Sequence, residues 1–482
     1  MLLRAGAFVN QTLGISLHSS LQSNIYRPKG KPMIQRALGI SMAFIGVLVG
    51  ASFASGREAL QYFVAFGNWG IVGAIVTSIC VMIAGISMLQ LGSYHRAKDH
   101  NSVFTVISGP VTSRVLDIAT MTCLFCIGFA MFAGAGSNMK QQFGWDIWIG
   151  AGIMLALVLL TGLLDVDKVT KVIGAVTPFI IILITIGTMY TIFTAQPDFT
   201  HLNEQAQEIP TTLPNWWVSA INSVGLQVIV VVSMAIVIGG NFLDSREVGL
   251  GGIIGGFIFL FLLAVLVGSM YISVETVLET DMPTLAMVTK IHPALGTLMA
   301  FAIYGMIYNT AIGMFYALAK RLTRDHRQHF YKVYVAIVLV GFVLSFIGFS
   351  ELIGWVYPIL GYMGILCMFV IGWSWWKNRR ELESETQLRR RARELMAKRF
   401  EGEEALTQDE EQEIIAIARI SNIPEHTFIE EIATEINARE DITVASTLPL
   451  STADDSVDIA DLESAASVTD MKTAEKKART RS

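Results

Sequence analysis

Apolar residues fall into ten long runs separated by short polar connections: roughly 35–65, 69–93, 115–137, 145–164, 170–194, 216–241, 248–273, 294–319, 331–349 and 353–376. A helix needs about 20 apolar residues to cross a bilayer, so the pattern predicts ten transmembrane spans. The first run differs from the rest, because Gly50-Ala51-Ser52-Phe53-Ala54-Ser55-Gly56-Arg57-Glu58 interrupts it. Irregular backbone at membrane depth persists only where it lines a cavity or meets a ligand, and discontinuous helices hold solute and ions in secondary transporters. A small-residue contact between helices is the alternative reading, but it gives no reason for Arg57 and Glu58 to follow directly.

The connections set an orientation through the positive-inside rule. With the N-terminus in the cytoplasm, the inner segments carry Arg27, Lys29, Lys31 and Arg36, then Arg96, Lys98 and Arg114, then Lys168 and Lys171, then Arg246. Lys320, Arg321, Arg324, Arg327 and Lys332 follow, and finally Lys377, Arg379 and Arg380. The outer connections hold only Lys140 and Lys290, and the long one at 195–215 has no Lys or Arg. A missed or extra helix would invert half of these loops, so ten spans with both termini cytoplasmic is the expected topology of a multi-pass plasma (inner) membrane protein.

Composition agrees. Of 482 residues, 53% are hydrophobic and 16% charged, against about 25% charged in soluble domains, and the mean hydropathy is +0.53. The net charge of −5 is segregated, with apolar spans and basic connections first and a charged tail after residue 376. Cys80, Cys123, Cys126 and Cys367 all lie in apolar runs, where a reduced thiol packs as a small hydrophobe. Met1–Val9 lacks a signal-peptide pattern. Residues 1–32 read as a cytoplasmic arm, with Met33 an alternative start.

Polar groups inside spans cost free energy in lipid and are candidates for function. In span 1, unwinding would free carbonyls near Gly46 and Val49, which suit a hard cation such as sodium. The amides around Ala51, Ser52, Phe53 and Ser55 would open a half-helix that attracts a carboxylate. Arg57 and Glu58 would form a local pair or line the outer vestibule as gating or coupling groups, with Glu58 a possible proton carrier. Span 6 carries Asn222, Ser223, Gly225 and Gln227, a polar, Gly-containing stretch at the place that mirrors span 1 if the chain repeats after five helices. A second break is expected there, although amide bonds between intact helices would also explain it. In span 8, Asn309 and Thr310 would present side-chain oxygens to a cation held against the span 1 carbonyls, or else hydrogen-bond between helices. Phe129 and Phe132 of span 3 would either close over a solute or pack between helices. Pro178 and Pro358, fifth span of each half, would kink their helices.

With its ten-span layout, the chain resembles the YkvI-type membrane proteins, a bacterial branch of the amino acid–polyamine–organocation superfamily. The likeness rests on Gly50 to Glu58 with Leu60-Gln61-Tyr62-Phe63 and Phe66-Gly67, and on Asn309-Thr310-Ala311-Ile312-Gly313 with Tyr316-Ala317-Leu318. It covers about residues 33–376. It implies a five-plus-five inverted repeat with helices 1 and 6 broken, the leucine-transporter-like fold. It also implies a sodium site between span 1 carbonyls and span 8 oxygens, matching Gly46, Val49, Met306, Asn309 and Thr310 by position. The chain departs from the pattern with Arg57 where a glutamine is usual, Asn309 where a hydroxyl is usual, and no aromatic-Asn pair in span 6.

After Trp376 the composition changes. A basic stretch from Arg379 to Arg399 reads as a positive-inside anchor of the last span or as a segment that sits near anionic headgroups. Thr407-Gln408-Asp409-Glu410 reads as a capping box, and Phe428, Ile429, Ile432 and Ile436 share one face of a second helix. Residues 377–440 are therefore expected to form basic and amphipathic cytoplasmic helices that pair with each other, with a second protomer or with a cytoplasmic partner. Residues 441–482 read as disordered.

The expected function is a secondary active transporter for a small organic solute, an amino acid or related zwitterion, coupled to a sodium ion or a proton. The solute would lie on Ala51, Ser52, Phe53, Ser55, Asn222, Ser223 and Gly225. A receptor that keeps the fold and signals through its tail is the rival. No Walker loop, metal cluster or intramembrane catalytic constellation points to an enzyme, a cofactor or nucleic-acid binding.

Overall fold

A computed structural model describes residues 33–162, 176–194, 199–324, 326–401 and 407–440. The N-terminal arm, the 163–175 connection and the segment after residue 440 lie outside the described residues. They include Lys168 and Lys171.

Ten helical segments correspond to the ten apolar runs. Span 1 comprises α1 (Met33–Leu48), α2 (Ala51–Ser55) and α3 (Arg57–Tyr62). Spans 2 to 5 are α4 (Asn68–His95), α6 (Pro110–Phe143), α7 (Ile147–Thr161) and α8 (Val176–Thr194), with the short α5 (His100–Ile107) between spans 2 and 3. After α9 (Phe199–Ala206), spans 6 and 7 are α10 (Trp216–Gly240) and α11 (Ser245–Ile272). The short α12 (Val274–Val277) and α13 (Pro283–Ile291) lead into α14 (Pro293–Leu322), α15 (Phe330–Leu344) and α16 (Phe349–Glu401), which are spans 8 to 10. Among the described residues, seven helical stretches, one of them α15 extended to Ile347, have at least 18 residues and enough apolar character to cross a membrane, and α1 and α7 are shorter apolar helices. The chain is an all-α polytopic membrane protein.

The packing repeats after five spans. Span 2 packs on span 6 as span 7 packs on span 1; span 3 meets 4 as 8 meets 9; span 4 meets 8 as 9 meets 3; span 5 meets 7 as 10 meets 2. Spans 2 and 7 pack on each other, as do 3 and 8. Spans 1, 2, 6 and 7 thus form one bundle, and 3, 4, 8 and 9 a second group. Small residues let these helices approach: a methyl at Gly92 would lie 2.1 Å from the Ile236 carbonyl oxygen, and one at Gly239 would lie 2.0 Å from that of Leu89. Phe132 of span 3 stacks on Phe315 and meets Phe342 edge-on, while Phe129 meets Phe125. Of the two readings of these rings, packing holds.

One expectation is corrected. Span 6 is not broken: α10 runs unbroken from Trp216 to Gly240, because its polar residues serve neighbouring helices and leave its own ladder intact. Ser219 donates to the Tyr62 carbonyl at 2.5 Å, and the Asn222 amide donates to the Pro358 carbonyl at 2.8 Å. The helix that contains span 10, α16, continues past Trp376 to Glu401. Pro358 inside it has no amide to offer the Gly354 carbonyl, and the Thr212 hydroxyl donates to that oxygen instead at 2.5 Å.

The tail folds back on the bundle. The capping box forms as expected at Thr407 and Glu410, opening α17 (Gln408–Ile420), which α18 (Glu425–Glu440) follows. Phe428, Ile432 and Ile436 pack with Leu395, Ile414 and Ile417, and with Leu243 from the loop between spans 6 and 7. The two amphipathic helices therefore use their apolar faces within this chain. The basic stretch divides. Arg390 is exposed, but Arg389 is 1% exposed and faces protein rather than headgroups. Arg389 donates to the carbonyls of Ser93 and Tyr94 at 2.9 Å each, of Leu243 at 3.3 Å, to Asn422 at 2.8 Å and to Glu385 at 2.9 Å. Arg36, at the start of span 1, pairs with Glu247 of span 7 and Glu435 of α18 at 3.1 and 3.0 Å. Arg96, after span 2, pairs with Glu431 at 2.7 Å.

Removing one partner from a buried ionic network costs about 3–5 kcal/mol. Arg389→Leu should therefore lower the thermal unfolding midpoint in detergent markedly, whereas Arg390→Leu on the same helix should not. Equal midpoints for the two variants would show that this network carries no stability.

Candidate functional site

Span 1 has two discontinuities. Val49 donates to the Ile45 carbonyl at 2.7 Å, and the ladder resumes where Ala54 donates to Gly50 at 3.1 Å. Val49 and Gly50 between them lie outside the helices. The second discontinuity is Gly56, at φ 76°, a conformation that favours glycine. A methyl there would also meet Met270 Cε at 2.1 Å.

The first discontinuity faces span 8. A methyl placed at Gly50 would lie 3.9 Å from both the Thr310 hydroxyl and the Val47 carbonyl oxygen. Met306 and Val49 are both buried, at 4% and 0% exposure. The Asn309 side-chain oxygen is buried with no hydrogen-bond partner among the described residues. Nothing comes within 4 Å of a methyl at Gly46, so no side chain packs against that face of the residue.

The second discontinuity is followed by two neighbouring charges in the first turn of α3. Residues i and i+1 on a helix point about 100° apart, and Arg57 and Glu58 do not pair. Arg57 donates to the Thr280 carbonyl at 2.9 Å, and Asp281 and Glu351 are the acids whose charge reaches it. It thus belongs to a cover over span 1 at the end opposite the tail. The Thr284 hydroxyl, which donates to the Ala54 carbonyl, belongs to that cover too. Gln141 braces it, exchanging two 2.9 Å bonds with the Met282 backbone.

Glu58 turns inward instead. It is 7% exposed and accepts a 2.9 Å bond from the Gln227 amide of span 6. Glu58, Gln227 and Ser223 line a cavity of about 20 Å³ closed by Phe53, Ala59, Phe63, Phe259 and Leu263. That space holds about one water-sized group. At 1.5 Å per residue, Ser223 and Gln227 lie roughly 10 to 16 Å from the start of α10, within hydrocarbon depth.

The expected solute residues therefore separate. Phe53 and Ser223 line the cavity. Ser55 caps the second break, accepting from the Arg57 amide at 3.3 Å. Ala51 and Ser52 form the first turn of α2. Asn222 is engaged at both ends, accepting from the Tyr62 hydroxyl at 3.1 Å and donating to Pro358. Gly225 is a packing glycine: a methyl on it would lie 2.1 Å from the Gly361 carbonyl oxygen of span 10. Gln227 was legible as a polar residue in span 6, but nothing in the sequence paired it with Glu58.

No family model matches the chain. It is similar to two Bacillus subtilis (strain 168) proteins. One is the uncharacterized membrane protein YkvI, 22% identical over 329 residues, 68% of this chain and 92% of that one. The other is the uncharacterized protein YyaD, 23% identical over 325 residues, 67% of this chain and 92% of that one. Among solved structures, MhsT in complex with L-phenylalanine superposes with a TM-score of 0.51 at 14% identity, covering 82% of this chain and 98% of MhsT. The chain shares the fold of MhsT. A manganese transporter of Eremococcus coleocola matches at a TM-score of 0.46 and 12% identity, over 86% of this chain and 99% of that one.

The geometry separates packing glycines from open ones. Gly225→Val should lower the unfolding midpoint by the equivalent of about 1–3 kcal/mol, the usual cost of overpacking. Gly46→Ala should leave the midpoint unchanged. A stable Gly225→Val protein would remove the contact between spans 6 and 10 as the reason for this glycine.

Proposed function

We propose that the protein is a secondary active transporter that moves a small organic solute, an amino acid or related zwitterion, across the plasma membrane by alternating access. The observation that carries this reading is the twice-interrupted span 1, with a buried carboxylate cavity at its seam with span 6. Interrupted helix ends at membrane depth offer a solute backbone amides and carbonyls that intact helices withhold. The fold shared with MhsT, solved with L-phenylalanine, supports it. A cavity of about 20 Å³ is too small for an amino acid, so the bundle of spans 1, 2, 6 and 7 must move against spans 3, 4, 8 and 9 to admit one. Both termini would be cytoplasmic, as the loop charges indicate.

Sodium or a proton would be the coupling ion. The donor set suits sodium: the Thr310 hydroxyl and the Val47 carbonyl oxygen each lie 3.9 Å from a methyl placed at Gly50, and the Asn309 oxygen lacks a partner among the described residues. Val49 and Met306 would complete the surroundings, and Gly46 would contribute only through its carbonyl. Hard oxygen ligands are what an alkali cation selects.

The docked tail favours a second reading, a receptor that passes solute binding to a cytoplasmic partner, because α18 pairs with the start of span 1, with Arg96 after span 2 and with Arg393 on the continuation of α16. Uptake into proteoliposomes separates the two. The transporter reading expects gradient-driven accumulation of an amino acid, and Thr310→Val should weaken its sodium dependence about tenfold. Solute-induced thermal stabilisation with no flux would instead establish the receptor. Thr310→Val uptake with unaltered sodium dependence would remove Thr310 from the ion site.

A further inference from the structure

We infer that the cavity between spans 1, 6 and 7 is an ammonium site, in which Glu58 holds the protonated amine of the solute. This deepens the transport reading and rests on it. A carboxylate within hydrocarbon depth is costly unless a partner offsets its charge. Glu58 has one neutral partner, the Gln227 amide, and forms no ion pair among the described residues. Its sequence neighbour Arg57 is directed to the Thr280 carbonyl instead. The compensating cation is therefore absent from this chain's own packing, and the space left beside Glu58 is the size of one ammonium group.

The lining selects the kind of cation. Ser223 supplies a hydroxyl acceptor, and Phe53, Phe63 and Phe259 supply the aromatic walls. Aromatic faces attract an organic ammonium. Sodium would need five or six oxygens, whereas here Gln227 presents its NH₂ group to Glu58, as a carboxylate acceptor requires. An ammonium of three N–H donors matches one carboxylate and one hydroxyl. The small-residue turns at Ala51 to Ser55 would then be left for the other end of the solute, a carboxylate if it is a zwitterion.

The test is thermal stabilisation and proteoliposome uptake with alanine, alanine methyl ester and propionate, which keep or remove the ammonium and carboxylate separately. The wild type should respond to the two ammonium-bearing probes and not to propionate. Glu58→Gln, isosteric and able to keep a bond to Gln227, should weaken binding of both by tenfold to a hundredfold, about the worth of a charged hydrogen bond. Glu58→Asp should restore part of it. A Glu58→Gln protein that binds alanine like the wild type but loses pH dependence would overturn the proposal and make Glu58 a proton carrier. Transport of propionate unaffected by Glu58→Gln would overturn it too while leaving the transporter reading intact. A wild type that neither binds nor transports any probe would count against both. The unfolding midpoint of each ligand-free variant separates lost binding from lost folding.

Discussion

Hydrocarbon offers backbone groups no hydrogen-bond partner, and the whole arrangement follows from how the chain meets that demand. Where a helix stays intact, the ladder suffices. Where it is interrupted, a neighbour must supply the missing donor. Pro358 frees the Gly354 carbonyl, which the Thr212 hydroxyl takes up. The end of α2 exposes the Ala54 carbonyl, which Thr284 takes up. The Arg57 amide just past Gly56 finds the Ser55 hydroxyl. The break beside Gly50 has the Thr310 hydroxyl near it. Interruption confers function only where the compensation is incomplete, and span 1 has both a broken ladder and unspent polar side chains around it.

The same demand explains what could be read from the sequence. Ten spans were legible because each is a long apolar run, and the break in span 1 because Gly, Ala and Ser replace large apolar residues just before two charges. Span 6 misled for a definable reason. Asn222 and Gly225 look like an interruption in one dimension, but Asn222 satisfies the Tyr62 hydroxyl and the Pro358 carbonyl while Gly225 admits span 10. A polar residue that loosens its own helix and one that braces another have the same letter. Telling them apart requires knowing which helix lies opposite, and pattern alone carries no such information.

Arg57 and Glu58 show the limit at finer scale. Adjacent opposite charges suggest a local pair, yet the helical step between them sends one to the cover formed by Thr280 and Thr284 and the other to the interior. That split makes Glu58 chemically available. Had Arg57 closed on it, the carboxylate would be neutralised and the cavity would have no electrostatic preference. The positive φ of Gly56 redirects α3 after α2, so the glycine governs which charge faces which side.

The tail extends the argument to the opposite end of the bundle. A basic stretch after the last span reads as a headgroup anchor when only composition is considered, and Arg390 fits that reading. Arg389 does not, because one helical position earlier the side chain points at carbonyls that end span 2 and precede span 7. Tyr94 lies in the last turn of α4, where carbonyls lack intrahelical partners, Leu243 lies in the loop before span 7, and the Ser93 carbonyl also accepts from the Arg96 amide at 3.3 Å. Arg389 thus does at the tail side what Thr284 and Arg57 do at the far side: it supplies donors where helices stop. Because Arg36 also joins span 1 to Glu247 and Glu435, any movement of α1 away from span 7 must break ion pairs that include the tail. The two ends of span 1 are therefore held by different chemistry, hydrogen bonds to a loop at one end and ion pairs at the other, and each can yield while the other holds.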